Sequence, residues 1–440
     1  MNLRPILAVS AVAFAAFACA SQEGPAGPDD AWIGTITTDG DVTTVVNEAG
    51  SVWGGTATLV EEASIGVETG EAPYLLGTVS ALSAHDGRIF LLDGQVPVVR
   101  VYDFNGSWLH DIGRTGQGPG EFGEGVTGSP VGLATDPDGR VYVHNRDTIE
   151  VFSLDGEYLD TWDAGRGRAM GDFRIAAPAP GEVLVATYLP ADGNAFPWNR
   201  SVGLRSIREG SVAENLRPLP DLGYTTPRIE QSVRGGGTVA MVPAFVATLV
   251  WAVSAAGDVF IGRADRYEIE RHSSAGDRLV ISRRVDPVPV EDDERAWYER
   301  RLRLQVARQE TEAVRGYDLD AGLPDTKPAF EGFIPTRDGG VWVVRAGAGE
   351  RLPDCAEGAD LSAMNDAPCW RETYTLDAFD ADGRHLGEVQ IPPVFYNKRF
   401  QKFSPTPFIR GDVVLAVVED DDATIMVKRY RLAPPGDETR

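Results

Sequence analysis

Residues 99–122 read VRVYDFNGSWLHDIGRTGQGPGEF, and the fold turns on how this stretch is read. Val99, Val101 and Phe104 alternate with polar residues, the period of a half-buried strand. Asn105-Gly106 predicts a tight turn, because both residue types tolerate positive φ. Trp108, Leu109 and Ile112 open a second strand. Gly113, Gly116, Gly118 and Gly120, with Pro119 among them, then end regular structure. The stretch therefore predicts a β-hairpin followed by a connection to a new unit.

The same template recurs. HDGRIFLLD (residues 85–93) and PDGRVYVHN (137–145) each carry an Asp-Gly turn and then a run of β-branched and aromatic residues. The hairpin that opens this account has its counterpart in IEVFSLDGEY (149–158), where the turn is Asp155-Gly156. The offset of about fifty residues is that of propeller blades. Looser copies pair Gly181–Tyr188 with Val202–Ile207, Gly257–Gly262 with Tyr267–His272, Gly339–Arg345 with Tyr374–Phe379, and Gly411–Val418 with Thr424–Leu432. That makes six units. The last lacks an outer strand, and the β-rich pieces Thr43–Val46 and Ala57–Val60 are placed to supply one and close the ring, since an open array leaves unpaired edges. Residues 290–315 have no turn signals. Trp297, Arg301, Leu304 and Arg308 fall at helical spacing, broadened by Leu302 and Val306, which predicts a helix between the fourth and fifth units.

Residues 1–18 carry Arg4 and an apolar run, Ile6–Ala18, too short to span a bilayer. The run ends Ala16-Phe17-Ala18-Cys19, which resembles a bacterial lipoprotein signal; cleavage would leave Cys19 for lipidation, and Ala20 after it favours the outer membrane, facing the periplasm or the exterior. Residues 19–30 read as a flexible tether. Of the remaining cysteines, Cys355 and Cys369 flank a polar loop within 346–371, and an exported protein would let them pair. In the chain-entropy model that closure contributes about 3 kcal/mol. A net charge of −25 over 440 residues excludes nucleic acid and anionic lipid as natural partners.

The cycle of Asp-Gly turn, strand, Asp/Asn-Gly turn and GxGxGPGEF is similar to the NHL-repeat six-bladed propellers, nearest to a set of bacterial propeller lipoproteins. The segments ASIGVETG (63–70) and PAFEGFIPTRDGGVWVV (328–344) look like that set too. The resemblance implies an all-β, six-bladed β-propeller over residues 31–435, closed by an N-terminal strand, with one inserted helix and a short tail, 436–440. It implies a binding scaffold and no particular reaction.

The chemistry is sparse. The five histidines, His85, His110, His144, His272 and His385, leave only His144 near a channel mouth, too few for a three-histidine metal site. Asp93, Asn145 and Glu331 are the carboxylate and amide candidates for a lactonase-like metal site, with strand-end capping as the plainer role. GxSxG and the phosphate-loop ending are absent. No catalytic residue and no cofactor is assigned. In a propeller the second-to-third-strand connections and the blade-to-blade connections share one face. On this template that face holds Arg114, Arg146, Arg166, Arg168, Trp198, Arg200, Tyr224, Arg228, Arg263, Arg266, Tyr396, Lys398 and Arg399, with His144 at the mouth. Guanidinium forks and ring faces suit anionic, carbohydrate or peptide ligands. The chain is thus expected to be an exported, monomeric, lipid-anchored binding module with an unknown ligand or envelope-protein partner, touching the membrane through its anchor alone. The alternatives are a metal-dependent hydrolase or lyase in the axial channel and a structural subunit of an envelope complex.

Overall fold

The computed structural model describes residues 31–123, 130–145, 147–165, 175–188, 202–214, 216–233, 237–308, 311–353, 369–392, 405–420 and 422–436. They form a six-bladed β-propeller with one α-helix among the described residues. From the axis outward, blade one is Val79–His85, Arg88–Asp93, Val98–Asp103 and Trp108–Ile112. Blade two is Gly132–Thr135, Val141–Asn145, Thr148–Phe152 and Tyr158–Asp163. Blade three is Ile175–Ala179, Glu182–Tyr188 and Val202–Arg208, edged by Ser211–Val212 and Arg217–Pro218. Blade four is Leu249–Val253, Val259–Arg263, Glu268–His272 and Arg278–Arg283. Blade five is Gly332–Pro335, Val341–Arg351, Trp370–Phe379 and His385–Val389. Blade six is Phe408–Arg410, Val413–Glu419, Ile425–Ala433 and, from the other end of the chain, Thr58–Ile65.

The turns are more uniform than expected, and of a different kind. Of Asn105-Gly106 only the glycine takes positive φ, 86°. Gly106 N–H donates to Asp103 O, and the Asp103 carboxylate accepts from Asn105 N and Ser107 N. This is a type I turn followed by a glycine bulge. Asp136, Asp380 and Asp420 accept from the same two positions, while Ser153, Ser254, Ser273 and Thr336 accept through a hydroxyl from the second. The bulge position is glycine in each turn but the last, where Ala423 stands at φ 61°.

Strands inside a propeller are buried on both faces, which is why Arg88–Asp93 (RIFLLD) reads as an apolar run rather than an alternation. Ile89 and Leu91 pack toward Leu415 and Val427 of blade six, whereas Phe90 and Leu92 pack toward Val141, Val143 and Phe152 of blade two. Each such side chain contributes about 1.5–3 kcal/mol by leaving water.

Thr58–Ile65 closes the ring as expected, pairing antiparallel with Ile425–Ala433. Thr43–Val46 does not. It belongs to Val42–Ala49, which runs parallel to Arg278–Arg283 and, with Ile33–Asp39, widens blade four. Between these pieces the chain crosses the edge of blade five, where Val52 N and Trp53 N donate to His385 O and Leu386 O. The N-terminal segment is thus a belt over three successive blades. Buried Asn47 is its buckle: it accepts from Trp32 Nε1 and His385 N and donates to Ser282 O and Gly383 O.

Helix α1 (Asp292–Arg308) is shorter than the 290–315 expected. Thr311–Gly316 leaves it to pair with Ile229–Val233, which otherwise presents an open edge beside Gly237–Met241. Helix and three-stranded sheet form a cap. Tyr298, Leu302 and Val306, one helical turn apart, face Ile229 and Phe245, while Leu304, expected on the buried stripe, is 38% exposed. Trp297 packs on Trp370 of blade five.

Ala423→Gly should raise stability by about 1 kcal/mol, because a left-handed alanine carries a Cβ penalty that glycine lacks. Chemical denaturation of the two proteins measures this, and Ala423 is exposed, so no packing is lost.

Candidate functional site

The connections from blade three to four and from blade four to five leave the same face as the second-to-third-strand connections. The cap is built from them and stands on that face. The four arginines expected there that lie among the described residues are each matched by a carboxylate. Arg114 donates to Glu121 at 2.8 Å and Arg228 to Glu230 at 2.8 Å, Arg263 to Asp265 at 2.5 Å and Arg266 to Glu268 at 2.7 Å. The Tyr224 hydroxyl donates to Ala247 O, and its ring lies 4.6 Å beneath the Arg263 guanidinium. His144 is buried inside blade two and does not reach the surface. Arg146, Arg166, Arg168, Trp198, Arg200, Tyr396, Lys398 and Arg399 lie outside the described residues, as do Cys19 and Cys355. Cys369 is buried against Trp297 and Trp370.

Asp93 accepts from Gln95 N and Arg100 Nε, and Asn145 donates to Glu121 O. Both therefore cap strand ends. Among the described residues no three His, Cys, Asp or Glu side chains are grouped to hold a metal ion, and no helix is long and apolar enough to cross a membrane.

Glu331 differs from these. It precedes the inner strand of blade five, at the capped end, and remains reachable by solvent. Close by, Lys327 Nζ lies 2.5 Å from Glu294 of α1 and 3.0 Å from Glu372, and 4.2 Å above the Phe245 ring. Lys327 and Glu294 have no exposed side-chain surface, so this pair pins the cap to blade five. The surrounding protein first, and the Glu372 charge second, push the Glu331 carboxyl up to about 8.

The six inner strands enclose a channel of about 350 Å³. Its wall runs along Ala81 and Leu82, Leu133 and Ala134, Ala176 and Ala177, Ala252 and Val253, Phe333 and Pro335, Phe408 and Ile409, and most of the surface turned to the channel is polar. Ser80 and Thr406 add hydroxyls, and Arg337 is the one charged lining residue. Arg337 sits in the turn after the inner strand of blade five, at the end away from the cap. Its Nη2 approaches Ser83 Oγ at 3.4 Å, Ser83 Oγ lies 2.9 Å from Thr135 Oγ1, and its guanidinium carbon lies 5.0 Å from the Phe408 ring centre. Burial, with Arg410 nearby, lowers its pKa to about 10, so it stays charged. Sequence reasoning passed over Arg337 because PTRDGG reads as an ordinary turn. The available signal was positional: the equivalent residues in blades two and four are Pro137 and Ala255.

Residues 43–125 match the family model DUF5128, described as 6-bladed beta-propeller. No curated protein matches the sequence. Among solved structures, a member of the DUF4221 family from Bacteroides vulgatus is 10% identical, covering 86% of this chain and 99% of its own, with a TM-score of 0.50. An inferred exported protein of Bacteroides fragilis is 10% identical over 85% of this chain and 94% of its own, at a TM-score of 0.43. A virginiamycin B lyase from Staphylococcus aureus is 10% identical over 81% and 94%, at 0.33. At these identities the likeness is one of fold alone.

An acid whose folded pKa is raised gives stability that is full below its unfolded pKa and is lost as pH climbs toward the folded one. For Glu331 that window runs from the ordinary 4.5 to about 8. Glu331→Gln should match the parent in thermal midpoint at pH 4 and exceed it at pH 9; equal midpoints at both would refute the assignment.

Proposed function

We propose that this chain is a binding propeller of the bacterial cell envelope, exported, held to the membrane by a lipid on Cys19, and taking its ligand into the axial channel. The observation that carries the reading is the channel, a concavity of about 350 Å³ with a mostly polar surface and one charged lining residue, room enough for a small molecule. A single ionisable lining residue suits recognition better than general acid–base chemistry, which needs paired groups. The loop face is a weaker seat for an anion, because Arg114, Arg228, Arg263 and Arg266 would first have to leave their carboxylates. The envelope address rests on the apolar run that ends at Ala18-Cys19. In that compartment Cys355 and Cys369 would pair. A subunit role draws on a different feature, the outermost strands of blades one and two, where Trp108, Leu109, Tyr158 and Leu159 are 39–47% exposed.

Two measurements bear on this. Cys19→Ser should move the protein from the membrane fraction to the soluble fraction of the cell envelope; unchanged fractionation would remove the anchor. Ser80→Trp, directed into the channel, should abolish calorimetric binding of octanamide while leaving the thermal midpoint within a few degrees. Retention of binding in that variant would place the ligand elsewhere.

A further inference from the structure

The channel wall carries a guanidinium that has no carboxylate partner among the described residues. Ser83 Oγ takes one Nη2 proton, and Phe408 offers its ring face. Nη1 and Nε have no acceptor among the described residues, and no carboxylate pairs with Arg337. The neighbouring charge, Arg410, is of like sign. A charge that is desolvated and unpaired is costly to keep. The two cations that are buried outright among the described residues are matched: Arg100 by Asp93, Lys327 by Glu294 and Glu372. At Arg337 the fold supplies a donor fork and leaves its partner out.

We propose that the channel binds a carboxylate, its two oxygens on the Arg337 fork. This deepens the channel reading and rests on it. The planar fork matches two carboxylate oxygens. A dianion such as phosphate would leave charge uncovered, because Arg337 is the one charged residue on the lining.

The test is calorimetric titration of the mature protein with octanoate and with octanamide, which share a chain and differ in charge. Octanoate should bind more tightly by about tenfold or more. In Arg337→Gln octanoate should fall to the affinity of octanamide, whose own binding stays unchanged. Arg337→Lys should recover part of the loss, since it restores the charge without the fork. Equal affinity of the two probes for the parent protein would overturn the carboxylate proposal while leaving the channel reading in place. Binding of neither would overturn both. The comparison of probes on the parent protein does not depend on either variant folding.

Discussion

The hydrogen bonds between Thr58–Ile65 and Ile425–Ala433 are the constraint on which everything else rests. Six sheets in an open row would leave two bare faces and two unpaired edges. Joining the first strand to the last removes both defects, and ion pairs from Lys428 to Glu61 and from Arg429 to Glu62 line the seam. Only in the closed ring does every blade have a neighbour on each face, and only then do the six inner strands converge. The axial residues must be small where they converge, which is why alanine recurs in the wall. The channel is what remains when such strands meet and cannot fill the space between them.

Blade five is where buried charge is concentrated. Toward blade four, fully buried Asp377 accepts from Tyr267 at 2.7 Å and faces Arg283 at 2.5 Å and Arg345 at 3.4 Å. His385 lies beside this group; burial first and Arg283 second hold its ring down to about 4, so it is neutral there. Toward the cap, Lys327 sits between Glu294 and Glu372. Networks of this kind add little net stability over an apolar replacement, but removing one member strands the rest. Their effect is to fix one docking of blade five against blade four and of the cap against both.

The blades were legible because their signals are local. Asp, Ser or Thr followed three residues later by Gly marks most of the turns, and the flanking strands are β-branched and aromatic. Thr43–Val46 was legible as a strand but not in its place, since its partner Thr43↔Leu279 is fixed by packing that no local pattern encodes. The end of α1 was missed for the same reason: Thr311–Gly316 is drawn out of the helix by a distant edge. The pairing of the loop-face arginines was legible in principle. Arg228-x-Glu230, Arg263-x-Asp265 and Arg266-x-Glu268 place cation and carboxylate two residues apart, on one side of an extended chain. Arg337 was not legible, because a guanidinium in a turn becomes unusual only when six blades surround it.

The chain carries a formal charge of −25, so its outer surface repels anions. The axis is different. Arg337 is the one charged residue on its lining, and it contributes a positive charge. The potential along the axis therefore rises where that of the surroundings falls. An anion is turned away at long range by the outer surface and meets attraction only once it has entered the channel. The acidic exterior, on this view, does part of the selecting.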